Sequence, residues 1–368
     1  MSLLEAVAPL LPRLRDAAPR IEAQGRLPDD LFRALAAAGV FTAHLPPALG
    51  GRGATLSELA PVIEAIARAD GSAGWLAYVG SEAGRQIMRL DADAAAHIAS
   101  TPDLFIAGMF SPGGSRAVAC PGGYRVSGRW HTCSGSLHCT WLIGGTTVYD
   151  ADAETVRRGP TGAPLQRLNF IPRAAVEVLD TWHVAGLQGT NSHDVEVHDV
   201  FVPEALGAYD VEPPDLGLHL MVPLGIARAA IDEFITLAGT KGPTKAGGAR
   251  YRDLPAVQRE VAAVEASLRA ARGYALASLG EVDARARAGQ PTTAAQRDAF
   301  FLAAHHAART ALEVVDTLQR AASTSAIFTS SRLLRCFLDV HVAVAHVSLQ
   351  PINLESAGRS LLSGDLAT

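Results

Sequence analysis

Three groups of side chains in this chain have types and spacings suited to chemistry. The first is Gly122-Gly123-Tyr124-Arg125-Val126-Ser127-Gly128-Arg129-Trp130-His131-Thr132-Cys133-Ser134-Gly135, followed by His138 and Trp141. Gly122-Gly123 supplies a positive-φ turn, and Tyr124, Val126 and Trp130 mark extended chain. The pattern predicts a β-hairpin whose second strand ends in Thr132, Ser134 and Gly135. Groups that short let a flat ligand approach the backbone, so a cofactor is expected there. The second group is the polar turn Gly189-Thr190-Asn191-Ser192-His193-Asp194. The third is His341 and His346, imidazoles that can move protons near neutral pH. On one helix, residues five apart point about 140° from each other, so the two are not expected to share a site.

Each group also has a plainer reading. Ser134 could cap its own strand end. His341 and His346 could be hydrogen-bonded core or interface histidines, and His131 and His138 solvated strand residues. Trp141 and Trp182 read as core, because aromatic side chains bury large areas. Gly113 and Gly114 fit an ordinary turn as well as a cofactor-facing one. His305 and His306 read as structural. Arg335 and Asp339, at i and i+4, read as a helix-surface pair or interhelical anchor.

The elements that must position these groups fall into three zones. Up to about residue 100 the chain is rich in Ala and Leu with helical periodicity. Leu27-Pro28-Asp29-Asp30 opens one helix. Thr55-Leu56-Ser57-Glu58 has the form of a capping box and opens a helix over 56–69, closed by Asp70-Gly71-Ser72. From about 104 to 203 Val, Ile, Thr, Trp and Gly rise and turn signals recur, which predicts a β domain. Helical periodicity then returns, with helices expected over 216–237, 255–279, 294–321 and 330–349. The expected fold class is α+β: an N-terminal helical domain (1–103), a central β-barrel or sandwich domain (104–210) and a C-terminal four-helix bundle (211–368).

Bulk composition agrees with a large globular protein. The chain has 368 residues, 48% hydrophobic and 19% charged, with a net charge of -5, enough to bury a sizeable core and too acidic to favour nucleic acid or an anionic membrane. No apolar run has the length of a membrane span, and the first residues lack signal-peptide form, so cytoplasmic residence is expected. Cys120, Cys133, Cys139 and Cys336 form no Cys-x-x-Cys pair, so no metal site is expected.

The order helical, β, helical, carried by Leu45-Pro46-Pro47-Ala48-Leu49-Gly50-Gly51, Tyr124–Gly135, Asp180-Thr181-Trp182-His183 through Val200-Phe201-Val202-Pro203, and Arg335-Cys336-Phe337-Leu338-Asp339, resembles the acyl-CoA dehydrogenase superfamily over nearly the whole chain. Trp130, Ser134-Gly135, His138 and the 189–194 turn are similar to its reduced-flavin-dependent, two-component monooxygenases, of the hydroxyphenylacetate hydroxylase and dibenzothiophene monooxygenase type. A dehydrogenase needs a carboxylate base. None lies between Asp339 and Glu355, where His341 and His346 stand instead, and Asp215 follows two prolines in what reads as a loop.

The resemblance implies reduced flavin (FADH2 or FMNH2) with O2 as co-substrate, a C4a-hydroperoxide, and oxygenation of a small aromatic or indole-like substrate. It implies a separate NAD(P)H:flavin reductase and a homotetramer. Ser134 would sit at flavin N5, with His346 as the catalytic imidazole. Trp130, Cys133, Gly135, Thr190, Ser192 and Arg250 would contact the cofactor, and His138 and His341 the substrate pocket. The Ala249–Leu254 segment, with arginines but no Phe-Gly, departs from the family's pyrophosphate-binding element. The alternatives are a dehydrogenase with an atypical base and a flavin-free descendant of the fold.

Overall fold

The computed structural model describes residues 1–209, 216–243 and 248–364. Helices come first: α1 (Leu3–Val7), α2 (Leu10–Asp16), α3 (Ala18–Gln24), α4 (Asp29–Ala37), α5 (Leu56–Ala69), α6 (Gly71–Arg85) and α7 (Ala92–Ala99). The Thr55 hydroxyl accepts from the Glu58 amide while the Glu58 carboxylate accepts from the Thr55 amide, so the capping box forms. The Asp70-Gly71-Ser72 break ends α5 as expected, but it also begins α6. Asp70 Oδ1 accepts the Ala73 amide at 2.9 Å, a side-chain N-cap. Gly74 lies against Ala67 of α5, where a Cβ would overlap the neighbouring helix, so the two helices approach closely.

The central strands are β1 (Ile106–Met109), β2 (Arg116–Cys120), β3 (Gly123–Trp130), β4 (Trp141–Tyr149), β5 (Gln166–Pro172), β6 (Glu177–Leu179), β7 (Asp194–Pro203) and β8 (Gly207–Tyr209). They form one sheet in the order β6-β7-β3-β2-β4-β5-β8, with β1 parallel to β4. The predicted hairpin is β2–β3, turning at Gly122 with φ +81°. The sheet curls over its own face: the Arg167 guanidinium of β5 lies 4.6 Å from the Tyr124 ring of β3. One face, with Val126, Leu142, Ile171 and Val195, makes the β core. The other, with Ile106, Trp141, Ile143 and Phe170, packs against Ala83 of α6, Ile87 in the turn after it and Ile98 of α7.

The C-terminal helices are α8 (Met221–Thr240), α9 (Pro255–Arg287), α10 (Ala294–Ala322), α11 (Arg332–Ala343) and α12 (Leu354–Ser363). A single apolar core runs through α1, α5, α6 and α8–α11. The helix expected over 330–349 is shorter than predicted. It ends at Ala343, where the Gln350 side-chain amide donates to the Val344 carbonyl at 2.6 Å and turns the chain away. His346 therefore stands in a loop beyond α11, not on a helix shared with His341.

One buried knot ties these parts together. Arg335 of α11 lies 3.9 Å from Asp70 and 3.8 Å from Asp339. Asp339 Oδ1 accepts the Leu187 amide at 2.6 Å. Burial, with Asp70 adding to it, pushes the Asp339 carboxyl up to about 7. The folded state therefore holds this proton more tightly than the unfolded chain, whose Asp titrates near ~4. The stabilisation is complete below that value and is lost as pH rises through about 7. Asp339→Asn keeps an acceptor for Leu187 and removes the titration. Thermal melts should show wild type losing stability between pH 5 and 8 by up to ~1.4 kcal/mol per pH unit relative to Asp339→Asn. Parallel curves for the two proteins would refute the assignment.

Candidate active site

A cavity of about 290 Å³ opens where α6, the end of β1, the loop after β3, the 182–192 segment and the loop after α11 converge. Trp75, Tyr78, Val79 and Glu82 of α6 line it at i, i+3, i+4 and i+7, one face of the helix. Ser134 and Thr132 come from the loop after β3, Thr190 and Ser192 from the polar turn, and His346 from the loop after α11. Thr132 adopts φ +55° at this wall, a conformation that non-glycine residues hold mainly at constrained sites. Trp182 closes another side. The His193 imidazole fixes its backbone, its Nδ1 accepting the Thr181 and Trp182 amides at 3.1 and 3.2 Å.

A directed chain of hydroxyls crosses the wall. The Trp75 indole N–H donates to Ser134 Oγ at 3.0 Å. Ser134 and Ser192 pair at 2.8 Å, Ser192 and Thr190 at 2.7 Å, and the Thr190 hydroxyl donates to the Leu187 carbonyl at 2.9 Å. A hydroxyl has one proton. With the Thr190 proton committed to Leu187, Ser192 must donate to Thr190 and Ser134 to Ser192. Ser134 therefore has only a lone pair left to offer the cavity.

His346 has the opposite polarity. Its Nδ1 accepts the Ser348 amide at 3.3 Å, and burial lowers its pKa, so near neutral pH the ring is uncharged with its proton on Nε2. Its ring centroid lies 5.5 Å from that of Trp75 and 5.8 Å from that of His219. Burial, with His346 adding to it, pushes His219 down to about 3. Glu82 is 4% exposed. Burial opposes its ionisation, but Arg85 at 2.8 Å and His44 at 3.7 Å together hold its carboxyl below the usual range.

Of the residues singled out in the sequence, Ser134, Thr190, Ser192 and His346 meet at this cavity. Thr132 lines it too, and so does Trp182, which was expected in the core; the other predicted site residues do not. Trp130 faces the β core and donates to the Gly145 carbonyl at 2.9 Å. Cys133 is buried in the same core, and burial pushes its thiol up. Gly135, at φ +78°, is required by the Phe105 ring, which a Cβ there would overlap. Arg250 donates to the Gly239 carbonyl at 2.9 Å, capping α8. His138 stacks on Phe32 with ring centroids 4.3 Å apart, and burial, with Arg26 adding to it, pushes its pKa down to about 4. His341 is 43% exposed, with Nδ1 bonded to the Phe337 carbonyl at 2.7 Å. Asp215 lies outside the described residues.

The expectation that the site lacks a carboxylate is also corrected, because α6 supplies Glu82. The spacing of Trp75, Tyr78 and Glu82 was the available signal, in a Gly-, Ser- and Ala-rich run of the helical zone to which no separate helix was assigned. A larger cleft of about 670 Å³ lies beside α5, α8 and α9. Its charges are spent on one another, as in Arg15–Glu233, Arg68–Asp232 and Arg272–Glu64, which leaves the smaller cavity as the site with groups available for chemistry.

Residues 9–94 match the family description "Acyl-CoA dehydrogenase, N-terminal domain", and residues 218–351 match "Acyl-CoA dehydrogenase, C-terminal domain". The chain is 31% identical over 366 residues to indole-3-acetate monooxygenase of Pseudomonas putida, covering 95% of this chain and 91% of that protein. It is 30% identical over 352 residues to a pigment production hydroxylase of Rhodococcus erythropolis, covering 89% and 88%. Its fold matches that of XiaF from Streptomyces sp., solved with FADH2 and glycerol, with a TM-score of 0.88 at 23% identity over 98% of this chain and 95% of that one. Matches of this extent in sequence and fold make the chain a member of the flavin-dependent monooxygenases built on the acyl-CoA dehydrogenase fold.

Proposed function

We propose that this protein is the oxygenase component of a two-component system that receives reduced flavin from a separate reductase and oxygenates a small aromatic, indole-like molecule. Its relatives' printed names, an indole-3-acetate monooxygenase and an FADH2-dependent resorcinol hydroxylase among them, support that substrate class. A homotetramer in the cytoplasm is the setting we propose. No helix among the described residues is long and apolar enough to cross a membrane.

The cavity fits the ring end of a flavin. Its volume of about 290 Å³ is near the lower bound of small-molecule sites, about 300–1,000 Å³, and suits a ring system better than a whole dinucleotide. Trp75, Trp182 and Phe110 give it flat apolar walls. Ser134 offers an acceptor, which suits the N–H of a reduced flavin ring. Arg250, turned to its own backbone, does not contribute within one chain. When bound, reduced flavin supplies the two electrons that activate O2.

The chain's own residues then have distinct tasks. Ser134 accepts a hydrogen bond from the cofactor, and Trp75, Ser192 and Thr190 hold it in that polarity. His346 donates from Nε2 to an oxygen in the cavity. The apolar walls exclude the water that would divert reduced oxygen into peroxide. One observation carries the reading: an acceptor hydroxyl and a neutral donor imidazole line the same aromatic cavity. Glu82 does not suit the dehydrogenase alternative, because a carboxylate held ionised by Arg85 and His44 is a weak base.

Anaerobic titration should show reduced FMN or FAD binding more tightly than the oxidised form. Equal binding, or none, would overturn the proposal. On mixing with O2 and indole, Ser134→Ala should lower the ratio of product to hydrogen peroxide by about tenfold, the scale of one hydrogen bond. His346→Ala should do the same, whereas His346→Gln, which keeps an N–H donor, should retain more coupling. If Ala and Gln at 346 behave alike, the donor role is wrong.

Lowering the pH tests the same imidazole. Protonation would take the Nδ1 lone pair that accepts the Ser348 amide and so release the ring from its position; burial makes His346 harder to protonate, so coupling should persist to more acid pH than an ordinary histidine allows. A product-to-peroxide ratio that falls with a midpoint near 6.5 would contradict the buried neutral ring.

A further inference from the structure

We infer that Glu82 determines substrate class: the cavity end formed by Glu82, Tyr78 and Gly217 takes the N–H or O–H of an uncharged aromatic molecule and turns carboxylates away. The inference rests on the monooxygenase reading above and narrows the substrates that it admits.

The argument begins with unmet hydrogen-bonding capacity. Glu82 lines the cavity with its side chain 6% exposed, and among the described residues neither carboxylate oxygen has a hydrogen-bond partner. Arg85 Nη2 lies 2.8 Å from Oε2, close enough for charge attraction but without hydrogen-bond alignment. His44 Nε2, at 3.7 Å from Oε1, is beyond hydrogen-bond reach and has no other partner among the described residues. A buried carboxylate accepts several hydrogen bonds when ionised, and leaving it without them is expensive. A ligand N–H or O–H arriving at this end satisfies that need with a charge-assisted bond.

The rest of the lining sets the charge preference. Tyr78 stays a neutral phenol because burial raises its pKa, and His346 and His219 are neutral imidazoles. Among the described residues no Lys or Arg lines the cavity. Arg85 stands behind Glu82 and not on the wall. A ligand carboxylate would therefore meet an anion across a water-poor space with no cation on the wall to receive it. The substrate class is an aromatic N–H or O–H compound without an acid side chain. In this respect the chain differs from the relative whose printed name specifies indole-3-acetate.

The test is calorimetric binding of three ligands to anaerobic protein with reduced FMN: indole, benzothiophene (sulfur in place of N–H) and indole-3-acetate. Wild type should bind indole at least about tenfold more tightly than either of the others, the scale of one hydrogen bond to a charged group. Glu82→Gln keeps the shape and removes the charge. It should shrink both ratios several-fold, mainly by letting indole-3-acetate bind. Gly217→Ala places a methyl within 3.5 Å of the Glu82 carboxyl carbon without changing charge. It should weaken all three ligands together and leave the ratios as they are.

Wild type binding indole-3-acetate as tightly as indole, or Glu82→Gln leaving both ratios unchanged with its melting temperature intact, would overturn the assignment of Glu82. Binding of reduced FMN alone, measured in the same series, separates the two levels. Its absence overturns the monooxygenase reading, whereas its presence with unchanged ratios overturns only the role of Glu82.

Discussion

The cavity exists because Arg335 holds three remote segments together. Asp70 begins α6 and so sets where Trp75, Tyr78 and Glu82 point. Asp339 holds the Leu187 amide and so sets the turn that carries Thr190 and Ser192. Arg335 lies between the two carboxylates on the helix whose end leads to His346. An arginine cannot shed its charge in a protein, so its burial demands nearby anions. Burial raises the Asp339 pKa and Asp70 adds to it, and the one guanidinium does not offset the two. Removing one member of such a cluster leaves an uncompensated charge, typically a matter of 3–5 kcal/mol. The cluster therefore fixes relative positions more than it adds net stability.

Within the cavity, function depends on the direction of hydrogen bonds as well as on which residues are present. Ser134 and His346 are both groups that can donate or accept. Their neighbours remove that choice: Leu187 and Thr190 pull the hydroxyl protons away from the cavity, and the Ser348 amide occupies Nδ1 of His346. The result is one fixed acceptor and one fixed donor on the same wall. Such preorganisation is worth more in a dry pocket than in water, because nothing has to reorient when the reaction occurs.

Much of the architecture was legible in the sequence where local signals coincide with global ones. The Thr55–Glu58 capping box and the Gly122 turn formed as their residue types dictate, and the order helical, β, helical holds. Legibility failed where tertiary packing decides. α6 is glycine- and serine-rich because it threads between α5 and the Phe41 and Phe105 rings, and so small a set of side chains leaves its buried face without a strong apolar stripe. Trp130 shares its strand face with Tyr124 and Val126, so alternation along β3 already pointed it into the β core. The family likeness drew it toward the cofactor instead. His138 and His341 were plausible by residue type, but their partners, Phe32 and the Phe337 carbonyl, are set by packing and by helix register. Ser134, Thr190, Ser192 and His346 were legible because each lies in a short polar break within apolar sequence, where backbone and small side chains face a cavity.

The position of Glu82 explains how a fold associated with carboxylate bases can carry a buried carboxylate and still not use it as one. A general base needs a pKa near working pH. Burial alone would raise that of Glu82 toward this range. Arg85, one helical turn away, and His44, in the loop after α4, act against burial and win. The imidazoles are shifted in the other direction by the same dry environment, which keeps His219 and His346 uncharged. A histidine that cannot readily take a proton and a glutamate that does not readily take one leave proton abstraction from carbon without an agent. What the cavity retains is hydrogen bonding: an acceptor at Ser134, a donor at His346 and a charged acceptor at Glu82. That set suits holding a polar aromatic substrate beside an activated oxygen, and it is poorly suited to removing a proton from an acyl chain.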